Sequence, residues 1–208
     1  MNRLTLPLLI IVSALWFSGC ATVPPQDYTS LRASHPRSIL VLPPANETTE
    51  INATYGMMAA STQPLSELGY YVFPVAVVDL YMKENGLSVA DEMHAVPLDK
   101  LRKVFGADSV LYITVESYGS KYQVIASNTY VHARARLVGS LDGTELWNSR
   151  VEVVFSGSNG LIEALVEQVI NKLVDKTKGV ADMAAVQLYT MPDQGLLKGP
   201  YHPQFGTD

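Results

Sequence analysis

The sequence contains a single cysteine, Cys20, and the residues around it determine what its thiol can do. Residues 1–3 form a basic head that contains Arg3, and residues 4–17 form a mostly apolar run. That run is shorter than the roughly 20 residues that a membrane-spanning helix needs. A positive head, a short apolar stretch and small residues before a cut are typical of a secretory signal. We therefore predict that the chain is exported.

The residues just before the cysteine add a chemical fate for the thiol. Ser18, Gly19 and Cys20 resemble the lipobox of bacterial lipoproteins, although Phe17 stands where an aliphatic residue is usual. The resemblance implies that residues 1–19 are a signal peptide and that Cys20 becomes acylated on its thiol and its new amino group. Several acyl chains anchor a protein stably, whereas one binds only marginally. The alternatives are a membrane-anchoring helix or a signal cut elsewhere.

Ala21 follows the cysteine, where the inner-membrane retention signal of this class has Asp. The resemblance therefore implies the outer membrane as the destination, with the periplasmic or surface face left open.

Few other residues have the spacing that catalysis or metal binding requires. The four histidines are far apart, and neither H-x-x-x-H nor a pair of cysteines is present, so we predict no metal site. Ser158 lies in the sequence Ser-Gly-Ser-Asn-Gly, which departs from the G-x-S-x-G of a nucleophile elbow and is typical of a helix amino terminus. We predict no cofactor and no enzyme activity. The histidines are His35, His94, His132 and His202.

A row of positive side chains has two interpretations. His132, Arg134 and Arg136 alternate along a predicted strand. They could bind an acidic partner or a phosphate group, or they could pair across the sheet with Glu116 and Glu152. Each cross-strand pair would contribute about 0.2–1 kcal/mol. We favour the cross-strand pairs.

Four aromatic residues are candidate interface anchors, because buried aromatic side chains dominate many protein interfaces. They could equally belong to the core or the surface of the monomer. They are Tyr70, Tyr71, Tyr201 and Phe205.

The composition limits the size and the partners of the folded part. Removing residues 1–19 leaves 14 basic and 20 acidic side chains and no second cysteine for a disulfide. The remaining length suits a single domain with its own core. A mildly acidic surface argues against binding to nucleic acid.

The elements that would hold these residues follow from hydrophobic periodicity. Residues 21–36 are polar and rich in proline, which predicts a flexible tether from Cys20 to residue 36. Residues 38–44 and 70–73 resemble short buried strands, and helices are predicted over 53–68, 75–85 and 97–105. This strand-helix-strand-helix order indicates an α/β fold.

Period-two alternation marks an antiparallel meander in the second half. Strands are predicted over 109–118, 130–138 and 145–155, with an Asp-Gly turn at Gly143. The face containing Leu111 is expected to be buried, and the face containing Tyr112 and Tyr118 to be polar.

Beyond the meander we predict a long apolar helix over 160–178 that ends at Gly179, and a short helix over 181–189. The predicted organisation is therefore one domain at 37–190, followed by an irregular tail at 191–208.

Three segments carry a family resemblance: SILVLPPANET from residue 38, GADSVLYITVESY from residue 106 and VHARARLVGSLDGTELWNSRVEV from residue 131. They resemble a family of Gram-negative lipoproteins of unknown function that includes a neisserial surface-lipoprotein vaccine antigen. The order of elements is also similar to the amino-terminal domain of TolB and to the periplasmic core of CsgG-like lipoproteins.

The resemblance implies a companion role, because members are commonly encoded beside a channel-forming lipoprotein and a further small lipoprotein. We therefore expect a non-catalytic accessory or scaffold subunit of a secretion or transport complex, held to the membrane by the acyl chains on Cys20. We also expect a homodimer or a larger assembly. The alternative is a periplasmic ligand-binding module, whose pocket would lie between Pro43 and Glu50, at the carboxyl ends of the strands.

Overall fold

The computed structural model describes residues 25–122, 127–156 and 176–207. Strands and helices alternate in the first half, and three long strands and a helix follow. The helices are α1 (Thr29–Ser34), α2 (Ala53–Glu67), α3 (Val75–Glu84), α4 (Ala90–His94), α5 (Leu98–Phe105) and α6 (Lys176–Thr190). The strands are β1 (Ser38–Val41), β2 (Ala45–Asn46), β3 (Tyr71–Val72), β4 (Ser109–Tyr122), β5 (Ser127–Gly139) and β6 (Glu145–Ser156).

The strands form one mixed sheet in the order β3-β1-β4-β5-β6, with β2 paired to β4 beside the end of β1. β1, β2, β3 and β4 are parallel, whereas β4, β5 and β6 form an antiparallel meander. The amino ends of β1 and β4, the turn between β5 and β6, and the start of β3 therefore lie at one end of the sheet, here called the lower end. β1 ends opposite Leu111 and β2 opposite Val115, while β4 continues to Tyr122; the side of the sheet toward which these parallel strands run is here called the upper end.

The two faces of the sheet are covered differently. The inner face packs on α1, α2 and α6, and its core includes Trp147 and Tyr189. The outer face is covered by α3, α4 and α5 where β1, the first part of β4 and the last part of β5 run, around Leu40, Val110 and Val138. Farther along β5 and β6 the outward side chains of Arg134 and Arg150 are exposed. The predicted mixed α/β fold with an antiparallel meander and a C-terminal helix is confirmed.

The predicted tether differs from the structure after residue 25. Residues Thr29–Ser34 form helix α1, and its Leu31 is buried in the core. The backbone amide of Gln26 donates to the carbonyl of Asp193. Its polar composition gave no sign of a helix, because the helix is held by one buried leucine and by hydrogen bonds from the preceding residues to the distant C-terminal segment. The prediction of a flexible tether is therefore wrong for these residues.

The predicted helix over 160–178 lies mostly outside the described residues. The part that is described does not end at Gly179, because α6 continues through this glycine to Thr190. An ion pair of 2.8 Å between Lys178 and Asp182, one turn apart, spans the position. The predicted break at Gly179 is therefore wrong, and residues 176–190 form one helix.

A β-bulge changes the faces of β4. Val115 pairs with Ala133 and Ser117 with His132, so Glu116 is the extra residue. Because one inserted residue shifts the alternation by one, Tyr118 points into the inner core and is buried. Its predicted place on the polar face is wrong. The inward positions of β5 are confirmed as buried: Val131, Ala133, Ala135 and Leu137.

Two further elements were not predicted, the short helix α4 and the two-residue strand β2. Both lie in segments with polar residues and without a clear period.

None of the described helices has both the length and the apolar character that crossing a bilayer requires.

Candidate functional site

A cleft of about 360 Å³ opens at the upper end of the sheet, beside the segment that follows β1. It lies where the alternative prediction placed a ligand pocket, next to Pro43 and Asn46. The carboxyl ends of parallel strands commonly hold ligand sites in α/β proteins. The other lining residues come from the start of α2, from α3 and from α4, and include Thr54, Tyr55, Asp79, Ser88, Asp91 and Met93.

Tyr55 and Asp79, which line this cleft, are joined by Lys83 beside it. The Lys83 ammonium donates to Asp79 Oδ2 at 2.8 Å and to the Tyr55 hydroxyl oxygen at 2.7 Å. These contacts, with Asp79 first, raise the pKa of Lys83 above its ordinary value. Asp79 Oδ1 is buried and has no hydrogen-bond partner among the described residues. Asp79 also lines the cleft, so a donor that enters beside it would be close to this buried and unsatisfied oxygen.

His94 stands between this cleft and the open outer face of the sheet. Its Nε2 lies 2.9 Å from the carbonyl oxygen of Pro43, and its ring meets Tyr112 edge to face. Burial lowers the pKa of His94 below its ordinary value, against opposing contributions from Pro43 and Asp91. The neutral imidazole, hydrogen bonded through Nε2 to the Pro43 carbonyl, holds the end of α4 against the segment that follows β1.

The positive row on β5 is mostly paired within the sheet. Arg134 donates to Glu116 at 2.6 Å and to Glu47 at 2.9 Å, and Arg150 donates to the same oxygen of Glu116 at 2.9 Å. His132 Nε2 lies 3.4 Å from Glu152 but is not aligned for a hydrogen bond. The favoured cross-strand interpretation therefore holds for Arg134 with Glu116 and for His132, which stands opposite Glu152 on β6.

Arg136 behaves differently from its neighbours on the same strand. Its guanidinium lies over the ring of Tyr112, with 4.5 Å from Cζ to the ring centroid. This stacking holds the cation on the outer face of the sheet, and no carboxylate of the described residues forms an ion pair with it. A second open cleft of about 620 Å³ lies beside it, between His94 and Arg150. Its charges are mixed, since Glu145 lines it as well.

The outward side of α3 is apolar. Val77 and Leu80, three residues apart, are 59% and 55% exposed, and Tyr81 is also exposed. Tyr81 packs edge to face on Phe105 of α5, with 5.2 Å between ring centroids. We call Val77, Leu80 and Tyr81 the α3 apolar face. Three apolar side chains at this spacing on one side of a helix match the pattern of helices that dock on partners.

Of the other predicted site residues, His35, Tyr70 and Phe205 line one pocket at the lower end of the sheet. Cys20 and Ser158 lie outside the described residues. Tyr70 is buried in the core, whereas Tyr71, Tyr201 and Phe205 are exposed. The described part of the chain holds no cluster of histidine, cysteine or carboxylate side chains that could bind a metal ion. His35 and His202 lie at the lower end of the sheet, far from the upper-end cleft.

Sequence reasoning missed the group formed by Tyr55, Asp79 and Lys83. The spacing of Asp79 and Lys83, four residues apart on a predicted helix, was a signal for the ion pair. Nothing local to Tyr55 indicates that it reaches the same point, because it comes from a different helix 28 residues away.

Comparisons with known proteins agree with this architecture. The family model described as "Putative lipoprotein GNA1162-like" matches residues 26–201. The chain is 44% identical over 205 residues to "Putative lipoprotein NMB1124/NMB1162" of Neisseria meningitidis serogroup B, covering 93% of this chain and 95% of that protein.

Solved structures show the same fold. The crystal structure of lipoprotein GNA1162 from Neisseria meningitidis has a TM-score of 0.57 and 48% identity, covering 66% of this chain and 98% of that one. A PelC dodecamer from Paraburkholderia phytofirmans has a TM-score of 0.51 and 15% identity, covering 77% of this chain and 91% of that one. At that identity the second likeness concerns the fold alone. The match of the family model and the neisserial relatives show that the chain belongs to the GNA1162-like lipoprotein family.

Proposed function

We propose that this protein is anchored by acyl chains on Cys20 to the outer membrane and acts as a non-catalytic accessory or scaffold subunit of a secretion or transport complex. The observation that carries the proposal is the α3 apolar face. Membership of the lipoprotein family supports a lipid-anchored place in the cell envelope.

The α3 apolar face supports docking because covering its side chains with a partner removes apolar surface from water, which is favourable. Burying an exposed valine or leucine side chain gains about 1.5–3 kcal/mol. The adjoining edge strand β3 has only two residues and carries the exposed Tyr71. Helix and strand edge together form a surface that a protein partner can cover.

The proposed partners are a second copy of this chain and a channel-forming, CsgG-like lipoprotein with its small companion. A dodecamer in a protein of similar fold supports assembly as a use of this architecture. A stable interface buries about 800 Å² on each partner, so the α3 apolar face would be its centre and not its whole extent.

The proposal is tested with Val77→Glu and Leu80→Glu in the full-length protein, solubilised from membranes in detergent. Val154→Glu is the matched control, because Val154 is 54% exposed and lies on β6, at the other edge of the sheet. Light scattering during size-exclusion chromatography should show loss of assembly for the α3 variants and not for the control. A wild-type protein that is monomeric and recovers no partner contradicts the proposal.

The anchor is tested separately with Cys20→Ser. The substituted protein should leave the membrane fraction, because its only thiol has been removed. Equal membrane fractionation of the two proteins contradicts acylation at Cys20.

A second candidate function is ligand binding in the upper-end cleft, and the unpaired Asp79 Oδ1 favours it. A ligand with an ammonium or hydroxyl group would give this oxygen a donor. Spermidine and glucose serve as probes of the two classes, with thermal stabilisation as the readout. Stabilisation of the wild type that disappears in Asp79→Asn supports the function, and the absence of an effect with both probes counts against it.

A further inference from the structure

Residues 25–28, the first that the structure describes, contact the rest of the domain near the lower end of the sheet. The Gln26 amide donates to the carbonyl of Asp193, and the Tyr28 hydroxyl donates to the carbonyl of Gly195. Asp193 and Gly195 belong to the segment after α6 that packs on Trp147, at the start of β6. The first described residues are therefore held beside the lower part of β6, and α1, which follows them, reaches the turn between β5 and β6.

The distance from this point to the proposed anchor is limited by covalent geometry. Five Cα–Cα steps separate Cys20 from Pro25, which allows about 17 Å at full extension. A domain of this size has a diameter of about 40 Å. Because the link is shorter than half of that diameter, an acylated Cys20 would keep the lower end beside the bilayer.

The same lower end exposes apolar side chains. Leu141, in the turn between β5 and β6, is 78% exposed, and Tyr201 is 65% exposed. The amide of Tyr201 donates to the carbonyl of Gly69, just before β3. Phe205, also exposed, lies with its ring 5.4 Å from that of His35, before β1.

These side chains flank α1 on two sides. Leu141 borders a cleft that also contains Ser30 and Ala33 of α1. Phe205 borders an apolar pocket beside Leu31 and Arg32. This end exposes both acidic and basic side chains, including Asp142 and Arg32, so electrostatic attraction would not by itself bring it to a membrane. Its apolar and aromatic side chains favour contact with a membrane, since such groups partition into the headgroup region of a bilayer.

We infer that the lower end of the domain is a membrane-contacting surface, with Leu141, Tyr201 and Phe205 in the lipid headgroup region. This inference rests on the anchor proposed at Cys20. The occupant is the bilayer surface, because the short link keeps the acyl chains of Cys20 close to α1 and therefore to this end of the sheet. The upper-end cleft and the open outer face of β5 and β6 then remain accessible in the periplasm or outside the cell.

The test uses the full lipidated protein in phosphatidylethanolamine–phosphatidylglycerol vesicles that contain headgroup spin-labelled lipid. Acylation would leave no free thiol, so single cysteines introduced by Leu141→Cys and Tyr201→Cys can be labelled with a fluorophore. Ile51→Cys is the matched control, because Ile51 is 86% exposed and lies at the upper end. Quenching at positions 141 and 201 should exceed that at position 51 by at least threefold. Equal quenching at the three positions, or stronger quenching at position 51, overturns the inference.

A longer link separates the surface from the restraint. Ten Gly/Ser residues inserted between residues 24 and 25 should leave the label at position 201 quenched. Adding Leu141→Ser and Phe205→Ser to the insertion should lower quenching to the level at position 51. Loss of quenching on insertion alone overturns the inference.

Failure of the anchor gives a different result. A wild-type protein that takes up the thiol label and does not float with vesicles contradicts acylation at Cys20 and overturns this inference with it. Normal flotation with no quenching at positions 141 and 201 overturns the membrane surface alone.

Discussion

At the residue scale, the hydroxyl groups of Tyr189 and Ser61 form a fully buried hydrogen bond in the inner core. The Tyr189 hydroxyl donates to Ser61 Oγ at 3.0 Å, and Ser61 donates onward to the carbonyl of Met57 at 2.8 Å. Burial raises the pKa of Tyr189 far above its ordinary value, so the hydroxyl stays protonated and needs an acceptor.

The two members of this pair should respond unequally to substitution. Ser61→Ala leaves the buried Tyr189 hydroxyl without its acceptor, which costs about 1–3 kcal/mol in the free energy of unfolding. Tyr189→Phe removes the donor but leaves Ser61 bonded to Met57, so we expect about 1 kcal/mol. Urea unfolding of both variants and of the double variant measures the difference. A double variant that is less stable than the sum of the two single changes contradicts this account.

His94 should make the stability depend on pH. Burial lowers its pKa in the folded protein, so the unfolded chain binds a proton more readily near the ordinary value of 6.5. Stability linked to this group is therefore complete above pH 6.5 and decreases as the pH falls below it. His94→Gln retains a donor for Pro43 but cannot titrate. The loss of stability between pH 7.5 and 5.5 should be smaller in this variant than in the wild type, and an equal loss contradicts the assignment.

Single residues also show what sequence reasoning could predict. Arg134 was placed correctly on the polar face with Glu116 as its partner, because alternation on β5 is regular and uninterrupted. Tyr118 was misplaced because the bulge at Glu116 leaves no signal in the residue types. The contact of Lys83 with Tyr55 depends on how two helices pack, which local periodicity does not contain.

At the element scale, the connection between α2 and β3 depends on a glycine against the C-terminal segment. Gly69 has φ of +84°, and a Cβ there would lie 2.3 Å from the backbone nitrogen of His202. Gly86, after α3, has φ of +86° with open space around it. Both glycines have the same left-handed backbone conformation, but only at Gly69 would a Cβ collide with another part of the chain.

Alanine at the two glycines should separate these effects. Gly86→Ala should cost about 1–2 kcal/mol, the ordinary penalty for a left-handed alanine. Gly69→Ala carries the same penalty and must also displace the backbone at His202, which adds roughly 1–3 kcal/mol. Thermal unfolding of both variants measures the difference. Equal losses would show that the C-terminal segment yields at no cost.

Elements with a strong period were predicted well, and those fixed by a few contacts were not. α5 was expected from its Pro97 and Gly106 boundaries, and both residues flank it in the structure. α1 was missed because one buried side chain, Leu31, and hydrogen bonds to the distant C-terminal segment hold it in place. α6 passes Gly179 because a glycine is only a weak helix breaker, costing about 1 kcal/mol in a helix interior.

At the scale of the whole molecule, the two ends of the sheet have different surroundings. The lower end collects the start of the domain, the exposed Leu141 and Tyr201 and the C-terminal segment. The upper end holds the cleft with Asp79. A lipid-anchored subunit that docks through α3 and rests on its lower end would keep this cleft turned away from its own membrane.

The C-terminal segment was predicted as an irregular tail at residues 191–208, yet its first half is part of the core. Leu196 is buried, the Trp147 indole donates to the carbonyl of Gln194 at 2.9 Å, and the Tyr70 hydroxyl donates to the carbonyl of Leu197 at 2.8 Å. The segment is without helix or strand from residue 191 to residue 207. Its Gly and Pro content indicated irregularity correctly, but composition does not show whether an irregular segment is packed.

Truncation should therefore have an effect that depends on where the chain is cut. A stop after Asp193 removes the buried Leu196, worth about 1.5–3 kcal/mol, and the acceptor of the Trp147 indole, worth about 1 kcal/mol. We expect a loss of roughly 3 kcal/mol or more and a matching fall in the thermal midpoint. A stop after His202 is the control, because the residues it removes up to Thr207 are exposed, and it should change stability by less than about 1 kcal/mol. If the shorter truncation destabilised the protein as much as the longer one, the stabilising contacts would have to lie beyond residue 202, at the surface proposed to meet the membrane.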